Sequence, residues 1–264
     1  MKTLIFDLDD TLVVEKASAA AAFVETCQLA ASRYGLDPET LHQSVRETCR
    51  ELWHYESPAR TYAVDVGISS WEALWSRFGG DNEHLAAFRD WAPTYRQRSW
   101  RNALLRHDID DADFADELAE TFPVLRRKRH VVYPDVRPAL DELRQSYRLA
   151  LLTNGASDLQ REKIEGAGIG PYFEATLVAG DIGVAKPHPR MFTTILEQLG
   201  AQPDDAVMLG DSLRKDVAGA QKAGLKAVWV NRNGTPPKNR FTPDLEVADL
   251  RKLQRRLAET PFHR

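Results

Sequence analysis

The chain has 264 residues, 43% of them hydrophobic, and a formal net charge of −4. That length supports one large domain or two modest ones with a real core, and the charge supplies no global basic field, which argues against a nucleic-acid partner. Two cysteines, Cys27 and Cys49, are too few for a disulfide framework, so a reducing cytoplasm is the expected compartment.

The N-terminus enters a strand at once, in the run Leu4-Ile5-Phe6-Asp7-Leu8-Asp9-Asp10-Thr11-Leu12. A short apolar run closed by a polar turn predicts a buried parallel strand. No stretch reaches about 18 apolar residues, and no basic region precedes an apolar one, so neither a membrane span nor a signal peptide is expected. From Val14 to His130 the spacing predicts helices, at Lys16–Arg33, Glu39–Trp53, Ser70–Phe78, Glu83–Arg101 and Asp111–Phe122. Five of the six tryptophans fall in this zone, at 53, 71, 75, 91 and 100. Trp71 and Trp75 are four apart, as the buried face of a helix requires.

From Tyr133 onward strands alternate with helices. Strands are predicted at Arg148–Leu152, Ala175–Ala179, Ala206–Leu209 and Lys226–Val230. Helices are predicted at Val136–Ser146, Ser157–Ala167, Pro189–Leu199 and Lys215–Ala223. The segment from Asn231 to Arg264 reads as a loop with Pro236-Pro237 and a final amphipathic helix. Its basic run, Arg251–Arg256, reads as a solvated face. Strand–helix alternation means βαβ units and a doubly wound parallel sheet. The fold class expected is therefore α/β, with residues 1–13 and 131–264 forming the core and an all-helical cap inserted at 14–130. A cap in that place would hang over the carboxyl end of the sheet, where lids exclude water and select substrates.

Ligands of open α/β sheets bind just beyond the carboxyl ends of the strands. Four such ends carry polar residues here: Asp7 and Asp9, Thr153-Asn154-Gly155, Lys186-Pro187, and Asp211 with Asp216. Singly, each reads as a turn, a surface loop or a helix cap. Together they suit phosphoryl transfer, which needs positioning and charge neutralisation more than covalent help. Asp7 is ionised at neutral pH and can attack phosphorus without a base. Asp9 can protonate the leaving alkoxide and then activate water against the aspartyl-phosphate. Mg²⁺ suits an all-oxygen site, held by the carboxylates of Asp7 and Asp211 and a backbone oxygen of Asp9. Thr153 and Asn154 would hold phosphate oxygens, and Lys186 would place a positive charge beside nucleophile and phosphate. Asp216 would orient metal-bound water or Lys186, and Thr11 would steer Asp9.

This motif set resembles the haloacid dehalogenase superfamily of phosphohydrolases. The motifs are Asp7-Leu8-Asp9-Asp10-Thr11-Leu12, Thr153-Asn154-Gly155, Lys186 within Gly183-Val184-Ala185-Lys186-Pro187, and Gly210-Asp211-Ser212-Leu213-Arg214-Lys215-Asp216. The insertion point resembles the subgroup with a helical cap between first and second motifs. The segment Thr153–Glu165 further resembles N-acylneuraminate-9-phosphatases and nucleotidase-like relatives. The resemblance implies a Rossmann-like core, Mg²⁺ and an aspartyl-phosphate intermediate. The expected substrate is a small organic phosphate monoester, of the sugar phosphate or nucleoside monophosphate class.

Two enzymes of the same family are the alternatives. A phosphomutase would shield the aspartyl-phosphate from water. A 2-haloacid dehalogenase displaces halide from carbon, for which Asp9 has no use. A core serving only binding or regulation predicts loss of Asp7, Asp9, Lys186 or Asp211, and all four are present. Within the cap, Arg60, Tyr62, Arg96 and Arg98 are candidates for substrate contact, although a surface position is the simpler reading for each. The tryptophans read as cap core. His54, His107 and His130 lack ligand spacing, and His188 reads as a loop residue. No feature sets the oligomeric state.

Overall fold

The structure is a computed structural model that describes residues 2–81, 83–237 and 241–260. Six parallel strands form one sheet: β1 (Thr3–Phe6), β2 (Arg148–Thr153), β3 (Ala175–Val178), β4 (Ala206–Gly210), β5 (Lys226–Val230) and β6 (Leu245–Val247). Their order is β3-β2-β1-β4-β5-β6. The order reverses direction beside β1, which makes the sheet doubly wound and puts a switch point at β1 and β4. Phe6 pairs with Leu151 on one side and with Leu209 on the other. The polar residues after β1, β2 and β4 therefore emerge level with one another.

Eleven helices are described. Five lie between β1 and residue 130: α1 (Glu15–Tyr34), α2 (Pro38–Glu56), α3 (Arg60–Val66), α4 (Glu83–Leu105) and α5 (Ala112–Arg127). Six follow: α6 (Val136–Leu143), α7 (Ser157–Ala167), α8 (Ala179–Ile182), α9 (Pro189–Leu199), α10 (Ala218–Lys222) and α11 (Leu253–Glu259). The chain forms two compact units. One holds residues 1–14, 131–154 and 163–264, and the other holds residues 15–130 and 155–162. The stretch 155–162 lies with the helices, although its sequence position is in the sheet half.

In the sheet unit, Leu4, Ile5 and Phe6 are fully buried, as strands covered on both faces must be. Leu140 and Leu143 of α6, Ile164 of α7, and Leu253 and Leu257 of α11 pack in one cluster with Leu149, Val207 and Val228. The last helix is thus amphipathic as its sequence predicts, and Arg251 and Arg255 are exposed. The α9 helix starts with Pro189 in its first turn, after a His188 side chain that accepts from Arg190 N at 3.2 Å. It stops at Gly200, which has the left-handed conformation.

Two differences from the sequence reading fall in this unit. A sixth strand, Leu245–Val247, lies where a loop was expected, because Leu245 and Val247 fill the last edge of the core while Glu246 faces out. The expected loop residues 238–240, and residues 261–264, lie outside the described residues. The expected helix Lys215–Ala223 begins earlier, as a π-helical turn at Leu213–Val217, and continues as α10.

In the helical unit, α2 packs on α1 and α4, and α5 packs on the same two helices. Phe23 stacks on Phe122 at 4.3 Å and on His42 at 4.7 Å. Trp53 stacks on Phe88 at 5.3 Å, and Trp91 on Tyr95 at 4.4 Å. Trp75 and Trp100 are fully buried, whereas Trp53, Trp71 and Trp91 are half-buried. Arg126 forms a buried ion pair with Glu15 and lies 4.7 Å over the Trp75 ring.

The helix expected at Ser70–Phe78 is absent. Only Glu72–Leu74 makes a 3₁₀ turn, and Phe78 takes the left-handed conformation at φ 50°. An unsupported helix of nine residues is too short to persist on local bonds, and Gly79-Gly80 ends it. Its carbonyls are instead taken by arginines from α4 and α5. Arg96 donates to Ala73 O and Ser76 O, Arg127 to Trp75 O, and Arg89 to Phe78 O and Gly80 O at 2.6 and 2.7 Å. Asp158 accepts from Gly79 N at 3.0 Å. Burial, with Arg127 close by, pulls the pKa of Arg96 down to about 10. Helix α3, which the sequence reading missed, ends at a left-handed Gly67 whose N–H bonds Ala63 O and Val64 O. No described helix is long and apolar enough to cross a membrane.

Candidate active site

β1 delivers Asp7 to the carboxyl edge of the sheet, and its N–H still pairs with Leu209 O of β4 at 2.9 Å. The chain then turns tightly. Asp10 sits at φ 57°, and Leu12 and Val13 both donate to Leu8 O. Asparagine and aspartate tolerate this left-handed conformation better than most residues. The turn leaves Asp7 buried and about a quarter of the Asp9 side chain exposed, at 28%.

Lys186 is the hub of the site. Its Nζ is 2.6 Å from Asp7 Oδ1, 2.8 Å from Asp216 Oδ1 and 2.6 Å from Leu152 O. Its side chain is 1% exposed. Burial opposes its charge, but the carboxylates of Asp216 and Asp7 override that, so its pKa lies above the ordinary lysine value. Asp7 moves up, to about 7, first because it is buried and then because Asp216 and Asp211 repel its charge; Lys186 works against the rise.

Asp7, Asp211 and Asp216 each offer a carboxylate oxygen, and the three oxygens lie within 4.8 Å of one another. Three carboxylates facing one lysine leave a surplus of negative charge in a buried place. An all-oxygen donor set with that surplus fits a hard divalent cation such as Mg²⁺. Two glycines make the arrangement possible. A Cβ on Gly210 would lie 2.3 Å from Asp216 Cγ, so the end of β4 is open only because Gly210 has no side chain. A Cβ on Gly219 would meet Phe192 at 2.8 Å and the Pro187 backbone at 3.1 Å, which lets α10 press on the segment carrying Lys186. Asp216 is fixed by Ser212 N, which donates to Oδ2 at 2.9 Å, and Trp229 Nε1 donates to Asp211 O at 2.8 Å.

One sequence expectation changes. Thr11 was expected to steer Asp9, but its hydroxyl donates to Asp7 Oδ2 at 3.1 Å. It therefore orients the other carboxylate of the pair. The Asn154 side chain, expected to hold phosphate, clamps the backbone of Lys186 in this structure. Its Oδ1 accepts from Lys186 N at 2.8 Å, and its Nδ2 donates to Lys186 O at 3.1 Å. Its neighbour Thr153 is buried at the end of β2 and donates to Asn154 O at 3.3 Å. Asp7, Thr11, Lys186 and Asp216 are thus in direct contact, Asp211 completes the acidic cluster, and Asn154 locks the lysine. Asp9 stands apart from that cluster and has its own partner.

That partner, Lys163, was missed in the sequence. Its Nζ lies 3.1 and 3.0 Å from the two Asp9 oxygens. Its signal is its spacing: Leu159, Lys163 and Ala167 recur every four residues on one stripe of α7, and all are buried. Arg232, also missed, braces the turn. It donates twice to Thr11 O at 3.0 and 2.8 Å, pairs with Asp135 at 2.9 Å, and lies 3.8 Å over the Tyr133 ring. Of the helical-unit candidates, Arg60 is exposed and Tyr62 is buried and packs on His84 at 4.8 Å. Arg98 pairs with Glu56 at 2.8 Å, and Arg96 serves the 73–76 carbonyls.

A family model described as a haloacid dehalogenase-like hydrolase matches residues 1–224. A phosphoserine phosphatase of Thermus thermophilus is 39% identical over 255 residues, covering 96% of this chain and 98% of that protein. An N-acylneuraminate-9-phosphatase of Mus musculus is 34% identical over 243 residues, covering 90% of this chain and 85% of that protein. A crystal structure titled a 2-haloacid dehalogenase, from Pseudomonas syringae, superposes with a TM-score of 0.62 at 26% identity, covering 98% and 99% of the two chains. The six-stranded parallel sheet, the acidic cluster around Lys186 and these similarities agree: the chain belongs to the haloacid dehalogenase-like hydrolases, among their phosphohydrolases.

Proposed function

We propose that the protein is a Mg²⁺-dependent phosphatase that hydrolyses small organic phosphate monoesters through an aspartyl-phosphate on Asp7. The observation that carries this reading is the ion pair of Asp7 and Lys186 inside a three-carboxylate cluster, with a second carboxylate, Asp9, two residues on. Lys186 holds Asp7 with one oxygen toward the ammonium, and Thr11 holds the other oxygen. A nucleophile fixed from both sides loses little entropy on reaching an in-line geometry. Thr153 is proposed to hold a phosphate oxygen, and Lys186 to stabilise the charge that builds on the transferring group. Asn154 belongs to the same phosphate-binding set in this reading, and its clamp on the Lys186 backbone keeps that loop in place. Asp9 protonates the leaving alkoxide and then takes a proton from the water that cleaves the aspartyl-phosphate. The carboxylates of Asp7 and Asp211 and the backbone oxygen of Asp9 are the proposed Mg²⁺ ligands, with Asp216 orienting the coordination sphere. The bound cation would neutralise phosphate charge.

The segment 14–130 is proposed as a cap that selects the substrate, because it is inserted between the first two motifs. Sugar phosphates and nucleoside monophosphates are the substrate classes inferred from the sequence, and the relatives add phosphoserine and N-acylneuraminate 9-phosphate to those worth assaying. A reducing compartment such as the cytoplasm fits two buried, unpaired cysteines. A dehalogenase would gain nothing from Asp9, which keeps that alternative behind.

The test is phosphate release from a panel of these esters with Mg²⁺ and with EDTA, beside Asp7→Asn. Release that requires both Mg²⁺ and Asp7 is the expected result. Release that survives Asp7→Asn would overturn the mechanism, and release of halide from 2-haloacids without phosphatase activity would overturn the function.

A further inference from the structure

We propose that Lys163 is the positioning residue of Asp9, fixing the plane of its carboxylate for proton transfer to the leaving group. The proposal rests on the reading of Asp9 as the general acid and base.

Three observations carry it. First, Lys163 occupies a core position. Its side chain is 1% exposed, on a stripe of α7 with Leu159 and Ala167. Burying an ammonium costs several kcal/mol in desolvation, and an apolar side chain of like length commonly replaces a buried ion pair without loss of stability. Packing alone would therefore be served by methionine. Second, the contact bridges both Asp9 oxygens almost equally, at 3.1 and 3.0 Å. The terminal torsion of an aspartate is broad and roughly two-fold, unlike the staggered torsions nearer the backbone. A charge held between the two oxygens removes that remaining freedom. Third, the backbone of Asp9 is already fixed, by its bridge to Val13 and by the bonds of the following turn to Leu8 O. The side-chain torsions are what Lys163 adds to the order.

The geometry also separates the two aspartates. Lys186 and Asp216 belong to Asp7, and Lys163 belongs to Asp9. Each carboxylate has its own buried ammonium, so nucleophile and proton carrier are oriented independently. With 28% of its side chain exposed, Asp9 keeps a face open while Lys163 holds it from the buried side.

The experiment compares Lys163→Met, Lys163→Arg, Asp9→Asn and the double variant Lys163→Met/Asp9→Asn on two probes, 4-nitrophenyl phosphate and the most active alkyl phosphate. The nitrophenolate leaves without a proton, whereas the alkoxide needs one. A misplaced proton donor costs on the order of 10- to 100-fold, within the worth of general acid–base catalysis. Lys163→Met should lower the single-turnover rate of alcohol release, which precedes the hydrolysis common to both esters, by about that factor for the alkyl ester and by only a few-fold for the aryl ester. Lys163→Arg should recover most of the loss, since a guanidinium also bridges two carboxylate oxygens. The double variant should be no slower than Asp9→Asn alone. Equal slowing on both esters, or additive losses in the double variant, would overturn the role of Lys163. If Asp9→Asn itself slows both esters equally, the acid role fails instead. An Asp9→Asn split without a Lys163→Met split rejects only Lys163. Should Lys163→Met not fold, Lys163→Gln reads the same split.

Discussion

In the sheet unit, three polar groups of the site follow directly on an apolar strand: Asp7 after β1, Thr153 closing β2, and Asp211 after β4. In the helical unit, the irregular segment between α3 and α4 has no such scaffold, and Arg89, Arg96 and Arg127 from two later helices satisfy its carbonyls. The first arrangement is set by neighbours in sequence and by strand register. The second is set by side chains 9 to 52 positions away. The difference teaches where charge is spent: on chemistry at the sheet edge, and on backbone satisfaction among the helices.

The largest effect should come from breaking the first arrangement at its centre. Asp7→Asn removes the nucleophile while leaving Lys186 paired with Asp216. Turnover should fall by roughly 10⁴-fold or more, the scale of losing a nucleophile, with the thermal midpoint hardly lowered. Mg²⁺ should also raise the midpoint of the wild type more than that of Asp7→Asn, because a cation bound to the folded state stabilises it. Equal Mg²⁺ shifts in both would remove Asp7 from the metal site. Lys186→Met should abolish activity and also destabilise the fold. It leaves two buried carboxylates without their ammonium, a loss of about 3–5 kcal/mol. Chemical denaturation without Mg²⁺ measures it, and an unchanged midpoint would mean the carboxylates find other partners.

Gly210→Ala probes the same edge more gently. Its Cβ would overlap the Asp216 carboxyl, so Asp216 must shift. Overpacking of this kind costs about 1–3 kcal/mol. The informative readout is a weaker Mg²⁺ affinity, measured by titration, at a midpoint lowered only that far. Undiminished affinity would show that Asp216 has room to move without disturbing the cluster.

These two regions also differ in how far the sequence disclosed them. Strand ends were legible because an apolar run stopped by Asp7 or Asp211 leaves no other place for the carboxylate. The meeting of Asp7 and Asp211 followed from that placement. Finer partners were not legible. Thr11 lies nearer in sequence to Asp9 than to Asp7, and only the left-handed turn at Asp10 brings it to Asp7 instead. The bond of Asn154 to Lys186 was not legible because it depends on a loop 32 residues away. Lys163 was not legible because its partner, Asp9, lies 154 residues earlier in the chain. In the helical unit, Trp71 and Trp75 have helical spacing, but arginines beyond any local window capture the backbone between them.

The smallest effects should separate two arginines of α4 that the sequence reading treated alike. Arg96 and Arg98 are two residues apart and so face different sides of the helix. Arg96 is half-buried and donates to Ala73 O and Ser76 O. Arg96→Ala leaves those carbonyls without their donor, a cost of about 1–3 kcal/mol. Arg98 is exposed and pairs with Glu56, which is itself 38% exposed. Side-chain entropy and screening offset most of that attraction, so Arg98→Ala should change stability by less than about 1 kcal/mol. Salt sharpens the contrast. Raising ionic strength should erase the Arg98 effect, since exposed pairs are screened, and leave most of the Arg96 effect, since its loss is one of buried hydrogen bonds. Denaturant midpoints of both variants at low and high salt give the comparison. Equal losses for the two arginines would mean that the 69–80 segment gains nothing from Arg96 that solvent does not supply, and the arginine-held loop would then be a consequence of packing around Trp75 and Phe78.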